Sequence, residues 1–366
     1  MKKHIYLLVL GLLWLYSSCV DPVEPEFNFK DGLIFVDAFA LSEPGTSIVT
    51  IQQSEIDNDR FRLRPISEAV VHFENMDSGE LITLNENGQG TYAPTYDFFV
   101  KKNERWLLKI QLADGTSIQS SVETVKSSVP IDQVTATYSP EVVFDQDRDK
   151  FVPGHKVFID WTDPADEENY YLWISRSFEP LHVCLTCERG HYRNDRCTPF
   201  DGAPPFFSYL CDTMCWQIRH STSLQIQDDR LINGTTVTNK EITTLKFFRK
   251  EDILVQVQQL SLSVSAYNYF KSIASITNEG GGLNAPPPAG LLGNLFNPDD
   301  SEAPILGQFT AGSVATKSLY IERENITENP LTPDQSVILE DCDFCPNYYP
   351  CEETRFRTSI KPEGWQ

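Results

Sequence analysis

The chain has 366 residues, with 52 acidic against 30 basic side chains and a net charge of −22 at pH 7. This balance argues against nucleic acid as a partner, and against a basic patch that binds anionic membrane surfaces. Hydrophobic residues make up 40% of the chain, including 22 Phe and 14 Tyr. The sequence can therefore bury a large core, and its length predicts two or more domains.

The start of the chain has the pattern of a secretory signal peptide. Lys2 and Lys3 give a positive start, Ile5 to Tyr16 is an unbroken apolar run, and Cys19 follows two serines. The apolar run is shorter than the roughly 20 residues that a helix needs to cross a bilayer. We therefore predict that residues 1–18 are a lipoprotein signal peptide.

Cys19 is the predicted lipid attachment site, because bacterial lipoproteins are cleaved and acylated at a cysteine that follows small residues. Two or three acyl chains, at about 0.8 kcal/mol per buried methylene, hold a protein stably on a membrane. The alternative is an ordinary secreted protein with an incidental Cys19, since Tyr16 stands where a smaller aliphatic residue is usual.

Residues 19–32 are acidic and rich in proline, which predicts an extended tether rather than a helix. Acidic residues directly after a lipidated cysteine resemble the surface-export signal of Bacteroidetes lipoproteins. We therefore expect the protein on the outer membrane, held in its lipid by acylated Cys19. The cell-surface leaflet is favoured over the periplasmic face.

Eight further cysteines fall in two groups: Cys184, Cys187, Cys197, Cys211 and Cys215, then Cys342, Cys345 and Cys351. An even number in an exported chain predicts disulfides, although their pairing cannot be read from the sequence. Zinc is the alternative, because each group contains one Cys-x-x-Cys pair with the spacing of a metal knuckle. A redox pair is a third interpretation, without the strand-to-helix context that such enzymes use. Disulfides are favoured, with the C-terminal tail either stapled locally or folded back onto the middle of the chain.

Residues 33–130 alternate apolar and polar side chains in short runs, separated by turn residues such as Asn87-Gly88. Roughly seven runs at this spacing predict an antiparallel, immunoglobulin-like sandwich that ends at Pro130. The predicted strands are Leu33–Phe39, Ser47–Ile51, Ala69–Phe73, Glu80–Leu84, Gly90–Tyr92, Trp106–Leu112 and Ser117–Val125.

Residues 131–321 are predicted to form a second β-rich domain, so the fold class is mostly β. Val157–Trp161 and Tyr170–Ile174 flank an acidic turn, an arrangement similar to that of fibronectin-type modules. In the next predicted strand, Gln258-Gln259 interrupts the alternation of apolar side chains, which predicts a β-bulge.

Two segments carry the cysteines. Residues 177–240 also contain prolines and glycines, and we predict a disulfide-rich insertion there. Residues 322–366 are predicted to be a cysteine-containing C-terminal tail.

One helix is predicted near residues 265–278, with Ser265 as its cap. Its apolar residues fall on one face at helical spacing: Ala266, Tyr269, Phe270, Ile273 and Ile276. A helix packed on the sheet is favoured over a stripe that faces a partner protein. The chain after the helix, from residue 278 to 305, is predicted to be loop, and Ser313 to Ile321 the last strand.

No sequence motif of a known catalytic site occurs in the chain. Asp145-x-Asp147-x-Asp149 has the spacing of the first three calcium ligands of an EF-hand, but Lys150 and Lys156 stand where Gly and Glu are needed. A solvated charged turn is the favoured interpretation. We therefore predict no cofactor, no metal and no enzymatic activity.

A set of short stretches resembles the signature of one family of Bacteroidetes outer-membrane lipoproteins, known as domain of unknown function 4249. These stretches are Tyr267–Phe270, Gly280–Pro288, Gly293-Asn294 and Ile305–Phe309. The resemblance covers nearly the whole mature chain, which departs from the family at Asn284 and in its cysteine-rich 184–215 segment. Members tend to be encoded beside TonB-dependent outer-membrane transporters, and no activity is established for them.

The resemblance implies a binding or accessory protein that works with a TonB-dependent transporter, by capturing ligand or by capping the channel. A structural or assembly component of the cell envelope is the alternative, and an undetected hydrolase is a minor one. The consecutive prolines Pro286–Pro288 form a stiff rod that either docks a partner or, as we favour, fixes a crossover.

We predict that Cys19→Ala releases the protein from membranes, because it removes the acylation site. The measurement is the protein's distribution between membrane and soluble fractions of the native host. A variant that remains quantitatively in the membrane fraction would contradict the lipoprotein interpretation.

Overall fold

The computed structural model describes residues 31–57, 60–188, 190–193, 196–199, 207–221, 223–278, 292–331, 337–341, 351 and 353–366. The predicted signal peptide, Cys19 and most of the tether lie outside these residues. In the described part the fold is mostly β with one helix, as predicted.

The strands of the first third of the chain lie close to the predicted runs. They are β1 (Ile34–Leu41), β2 (Ile48–Asp57), β3 (Arg60–Pro65), β4 (Val70–Asn75), β5 (Leu81–Gly88), β6 (Thr91–Ala93), β7 (Arg105–Gln111), β8 (Ser117–Ser120) and β9 (Glu123–Thr124).

The remaining strands include several that are much longer. They are β10 (Gln133–Asp145), β11 (Lys150–Thr162), β12 (Tyr170–Glu188), β13 (Gly190–Arg193), β14 (Arg196–Pro199), β15 (Phe207–His220), β16 (Gln225–Asp228), β17 (Thr236–Lys246), β18 (Ile253–Ser261), β19 (Leu295–Phe296), β20 (Ile305–Ile321), β21 (Val337–Asp341) and β22 (Arg357–Thr358). The helix α1 is Val264–Asn278.

An N-terminal sandwich packs two layers of strands around an apolar core. One layer runs β3–β2–β1–β20, and the other runs β5–β4–β7–β8–β19. Val36, Ala38 and Ala40 alternate inward from β1 and are fully buried. The layers meet at Phe73 of β4 and Phe309 of β20, whose ring centroids are 5.6 Å apart.

A C-terminal sandwich forms in the same way from β10–β11–β17 on one side and β12–β18–β20 on the other. Trp161 of β11 and Trp173 of β12 are fully buried between the layers, with ring centroids 5.0 Å apart. Burying two tryptophans, together with Tyr171, supplies a large share of the apolar area of this core.

Strand β20 belongs to both sandwiches. Ile305–Gly312 pairs in parallel with β1, and Ser313–Ile321 pairs antiparallel with β18. The prediction of a strand beginning at Ser313 therefore missed its first half. The division of the chain into domains 33–130 and 131–321 remains a prediction, because β20 pairs with strands on both sides of it.

Helix α1 covers the place where β20 passes from one sandwich to the other. Its Ala266, Tyr269 and Phe270 are buried, so the predicted core-facing side is confirmed for these three residues. They pack against residues that include Leu41 of β1 and Leu260 of β18. Within the described residues, no helix has the length and apolar character needed to cross a membrane.

Two local predictions need correction. The helix is capped by Ser263, whose Oγ accepts a hydrogen bond from the Ala266 amide at 3.1 Å, rather than by Ser265. The β-bulge at Gln258-Gln259 is wrong, because the register of β18 continues unbroken on both edges. Gln259 takes an inward position in the core, where it accepts a bond from Trp173 Nε1 at 2.7 Å and donates to the Val129 carbonyl at 2.9 Å.

Beyond its pairing with β18, strand β12 continues into a second group of strands that we call the cysteine arm (residues 179–188, 207–217 and 337–341). There β12 pairs with β15 on one edge and with β21 on the other. The predicted insertion 177–240 supplies the parts of β12 and β15 in the arm, but not β21. It also supplies β16 and the beginning of β17, which belong to the body of the sheet and to the C-terminal sandwich.

A buried ionic cluster lies where the arm leaves the body. Arg323 is fully buried and its Nη1 lies 2.7 Å from Oε1 of Glu179, while Arg219 Nε lies 3.1 Å from the other oxygen. The Arg323 guanidinium also lies over the Phe247 ring, 5.5 Å from its centroid. Such a cluster fixes the relative orientation of the arm and the body more than it stabilises the fold. The free energy of removing its charges from water offsets much of their mutual attraction.

We predict that Gly307→Ala destabilises the protein by several kcal/mol. Gly307 has a φ of +111° beside Val36 in the register of β1 and β20, and an added Cβ would lie 2.0 Å from the Val36 carbonyl oxygen. The measurement is the free energy of unfolding in denaturant.

Gly88→Ala is the matched control, because its φ is +93° but nothing lies within 4 Å of an added Cβ. Gly88→Ala should lower the free energy of unfolding only by the backbone strain of a positive φ, roughly 1–3 kcal/mol. Equal losses for the two variants would contradict the steric explanation.

Candidate functional site at the junction of the sandwiches

A cleft of about 300 Å³ lies where the end of the N-terminal sandwich meets the start of α1 and of β12. We call it the junction cleft. It is lined by Ser121, Val122, Glu123, Thr124, Lys126, Glu168, Tyr170, Ser263, Val264 and Ser265. These residues come from three distant parts of the chain, so the cleft exists only when both sandwiches are assembled.

Glu123 is the unusual residue of the cleft, because its carboxyl is only 2% exposed. Its Oε1 accepts a hydrogen bond from Asn294 Nδ2 at 3.0 Å, and its Oε2 has no partner of good geometry among the described residues. Burial raises the pKa of Glu123 to about 7, against the smaller opposite effect of the Ser263 hydroxyl and the Asn294 amide. The carboxyl therefore changes its charge near neutral pH.

Asn294 is fixed by the backbone of β20. Its Oδ1 accepts from the Phe309 amide at 2.9 Å, and its Nδ2 donates to the Phe309 carbonyl at 2.9 Å. A Cβ on Gly293 would lie 2.0 Å from the Gly307 carbonyl oxygen, so this close approach requires glycine. The Gly293-Asn294 pair thus ties the chain after the helix to β20 and to the junction cleft.

The positive side of the cleft is formed by the start of α1. Ser263 caps the Ala266 amide, while the amides of Val264 and Ser265 have no hydrogen-bond partner among the described residues. The first amides of a helix carry a partial positive charge. Lys126, half-buried in the cleft lining, adds a full one. The junction cleft therefore presents carboxylates and positive groups together.

A second concavity of about 500 Å³ runs along the edge of β10 and the end of β20. It is lined by Gln133–Ala136, Leu319–Glu322 and Gln366, of which only Val134 is buried. Because its lining lacks a buried ionisable group, the junction cleft is the stronger candidate for specific recognition.

Of the cysteines predicted to form disulfides, Cys215 of β15 and Cys351 of the tail are joined to each other. Both are buried, and the bond closes a separation of 136 residues, so the C-terminal tail is folded back onto the middle of the chain. The tail's Trp365 continues this contact by packing on Trp216.

The other predicted site residues remain predictions. The backbone of Cys184 and Cys187 lies in β12, that of Cys197 in β14 and that of Cys211 in β15, but their side chains are outside the description. Cys19, Cys342 and Cys345 lie entirely outside it. Disulfides therefore stay favoured over zinc for these residues on the sequence argument alone.

The acidic turn between β10 and β11 has a structural role. Asp145 is buried and lies 2.8 Å from Lys246 Nζ and 3.3 Å from Arg148 Nη1. The hydrogen bond from Lys246 is the main cause that lowers the pKa of Asp145. No group of three His, Cys, Asp or Glu side chains in the described part of the chain could hold a metal ion.

We predict that Glu123→Gln changes how stability depends on pH. Because the pKa of Glu123 rises from 4.5 to about 7 on folding, the folded protein binds the extra proton in that window. The free energy of unfolding therefore falls as pH rises through the window, by up to about 3 kcal/mol, and then levels off. The Glu123→Gln variant keeps an acceptor for Asn294 but has no carboxyl to titrate. Its free energy of unfolding should therefore not show this fall.

The measurement is denaturant unfolding of both proteins at pH values of about 4.5 and about 8. Glu80→Gln is the control, since Glu80 is exposed. If the difference in stability between the wild type and Glu123→Gln is the same at both pH values, folding does not raise the pKa of Glu123.

A family model described as Domain of unknown function (DUF4249) matches residues 20–318. No curated protein matches the chain. The matched range contains both sandwiches except the end of β20, together with the junction cleft and the Gly293-Asn294 pair that ties β20 to Glu123. The chain therefore belongs to the family of domain of unknown function 4249.

Proposed function

We propose that the protein is a lipid-anchored accessory of the outer membrane, exposed at the cell surface, that binds ligand for a TonB-dependent transporter. The anchoring part of this proposal rests on Cys19 and the sequence before it. The transporter partner rests on the resemblance to Bacteroidetes lipoproteins stated for the sequence. We propose binding without catalysis.

The junction cleft is the observation that carries the binding role. Ligand sites occur preferentially at domain interfaces, as concave pockets with a few well-placed polar groups. Here the two sandwiches share β20, so the walls of the cleft keep fixed positions relative to each other. A buried ionisable group on its floor, Glu123, is also typical of functional sites.

The tether suits this role. Between Cys19 and the start of β1 at Ile34 lie enough residues to reach roughly 50 Å when extended. A ligand-binding body on such a tether can move toward and away from a neighbouring channel without leaving the membrane.

An assembly component of the envelope is the second candidate, and a specific observation favours it. Phe144 and Phe151 are exposed at the end of the β10–β11 hairpin, with ring centroids 5.4 Å apart. Exposed aromatic pairs are common in protein interfaces. A hydrolase remains the minor alternative.

The test is affinity purification of the tagged full-length protein from native membranes in mild detergent, with mass spectrometry of the co-purifying proteins. We expect a TonB-dependent transporter in stoichiometric amount, with the Cys19→Ala variant as the matched control that should lose it. Recovery of envelope-assembly proteins without any transporter would instead support the second candidate.

A further inference from the structure

We propose that the junction cleft binds a small zwitterion, an amino acid or a short peptide, through both its ammonium and its carboxylate group. This inference rests on the proposed ligand-binding role and gives that role a substrate class.

The ammonium site is formed by Glu123 and Glu168. Glu123 has one oxygen paired with Asn294 and the other without a donor of good geometry among the described residues. A buried acceptor left without a donor is unfavourable, so a ligand that donates to it gains affinity. Glu168 lies at the exposed mouth, where its Oε2 accepts from the Tyr170 hydroxyl at 3.3 Å.

The carboxylate site is formed by the first turn of α1. The amides of Val264 and Ser265 lack partners among the described residues, and the helix is 15 residues long, so its dipole is fully developed at that end. Free amides at a helix N-terminus bind carboxylates and phosphates. Lys126, which makes no ion pair with a described residue, lines the same cleft.

The combination favours a zwitterion over a simple ion. A metal ion or a plain amine would be repelled by Lys126 and the helix terminus. A phosphate or a plain carboxylate would be repelled by Glu123 and Glu168. Only a ligand with both charges satisfies the two sets of groups that line the same cleft.

The remaining lining fits a small ligand. Val122 and Val264 are exposed at the cleft and offer apolar contact for a side chain. Ser121 and Thr124 add hydroxyls that can bond a peptide group. A volume of about 300 Å³ is at the lower end for ligand pockets, which suits an amino acid or a dipeptide better than a long chain.

The experiment is titration calorimetry of the detergent-solubilised full-length protein with three probes: alanyl-alanine, its N-acetyl derivative and its C-terminal amide. The derivatives remove the ammonium and the carboxylate one at a time. We expect alanyl-alanine to bind, and each derivative to bind at least about tenfold more weakly, because each loses a charge-assisted hydrogen bond.

Two variants test which residue binds the ammonium end of the dipeptide and which binds its carboxylate end. Glu123→Gln should weaken alanyl-alanine about tenfold and leave the N-acetyl derivative unchanged, since that probe has no ammonium to lose. Lys126→Met, at a half-buried position, should weaken alanyl-alanine and leave the amide unchanged. Glu80→Gln, at an exposed position that does not line the cleft, should change nothing.

Equal affinity for the three probes, or no heat of binding up to roughly 10 mM alanyl-alanine, would overturn the inference. Binding that survives both variants would also overturn it. If the purified protein does not bind the zwitterion but a transporter co-purifies from membranes, the inference fails while the proposed function stands. If the protein binds the zwitterion but no transporter co-purifies, the inference stands while the proposed transporter partner fails.

Discussion

The structure depends on the backbone pairing of one strand with two different neighbours. β20 forms a parallel ladder with β1 and then, without interruption, an antiparallel ladder with β18. This continuity requires a close approach of chains at Gly307, where any side chain would meet the Val36 carbonyl. Because ladder hydrogen bonds are directional, the relative orientation of the two sandwiches is set by the geometry of a single strand.

The junction cleft is a by-product of the same arrangement. β9, the start of α1 and the start of β12 meet there because β20 brings the two sandwiches end to end. A carboxyl enclosed at this joint, with one oxygen that lacks a donor of good geometry in the described part of the chain, lowers stability at neutral pH. Unfavourable groups of this kind persist most often where they serve recognition, which is why Glu123 and not the better-satisfied Gln259 marks the candidate site.

The sequence predicted the fold class and most strands of the N-terminal sandwich, because alternation of apolar residues is a local signal. It failed where the outcome depended on distant residues. Gln259 looked like an interruption of its strand, but a partner from β12, Trp173, makes it a core residue. Glu123 lay in a predicted strand with no motif around it, and its burial follows from Asn294, 171 residues away. The first half of β20 was recognised only as a family signature, since parallel pairing with β1 leaves no local pattern.

The register of β1 with β20 also has a consequence for the order of folding. The chain emerges from synthesis with β1 near its start, but the parallel neighbour of that strand, Ile305–Gly312, emerges some 270 residues later. The N-terminal sandwich therefore has a high contact order, and its sheet keeps an open edge until most of the protein is available. Folding cannot proceed one sandwich after the other, and a fragment that ends before residue 305 leaves β1 exposed to association with other chains.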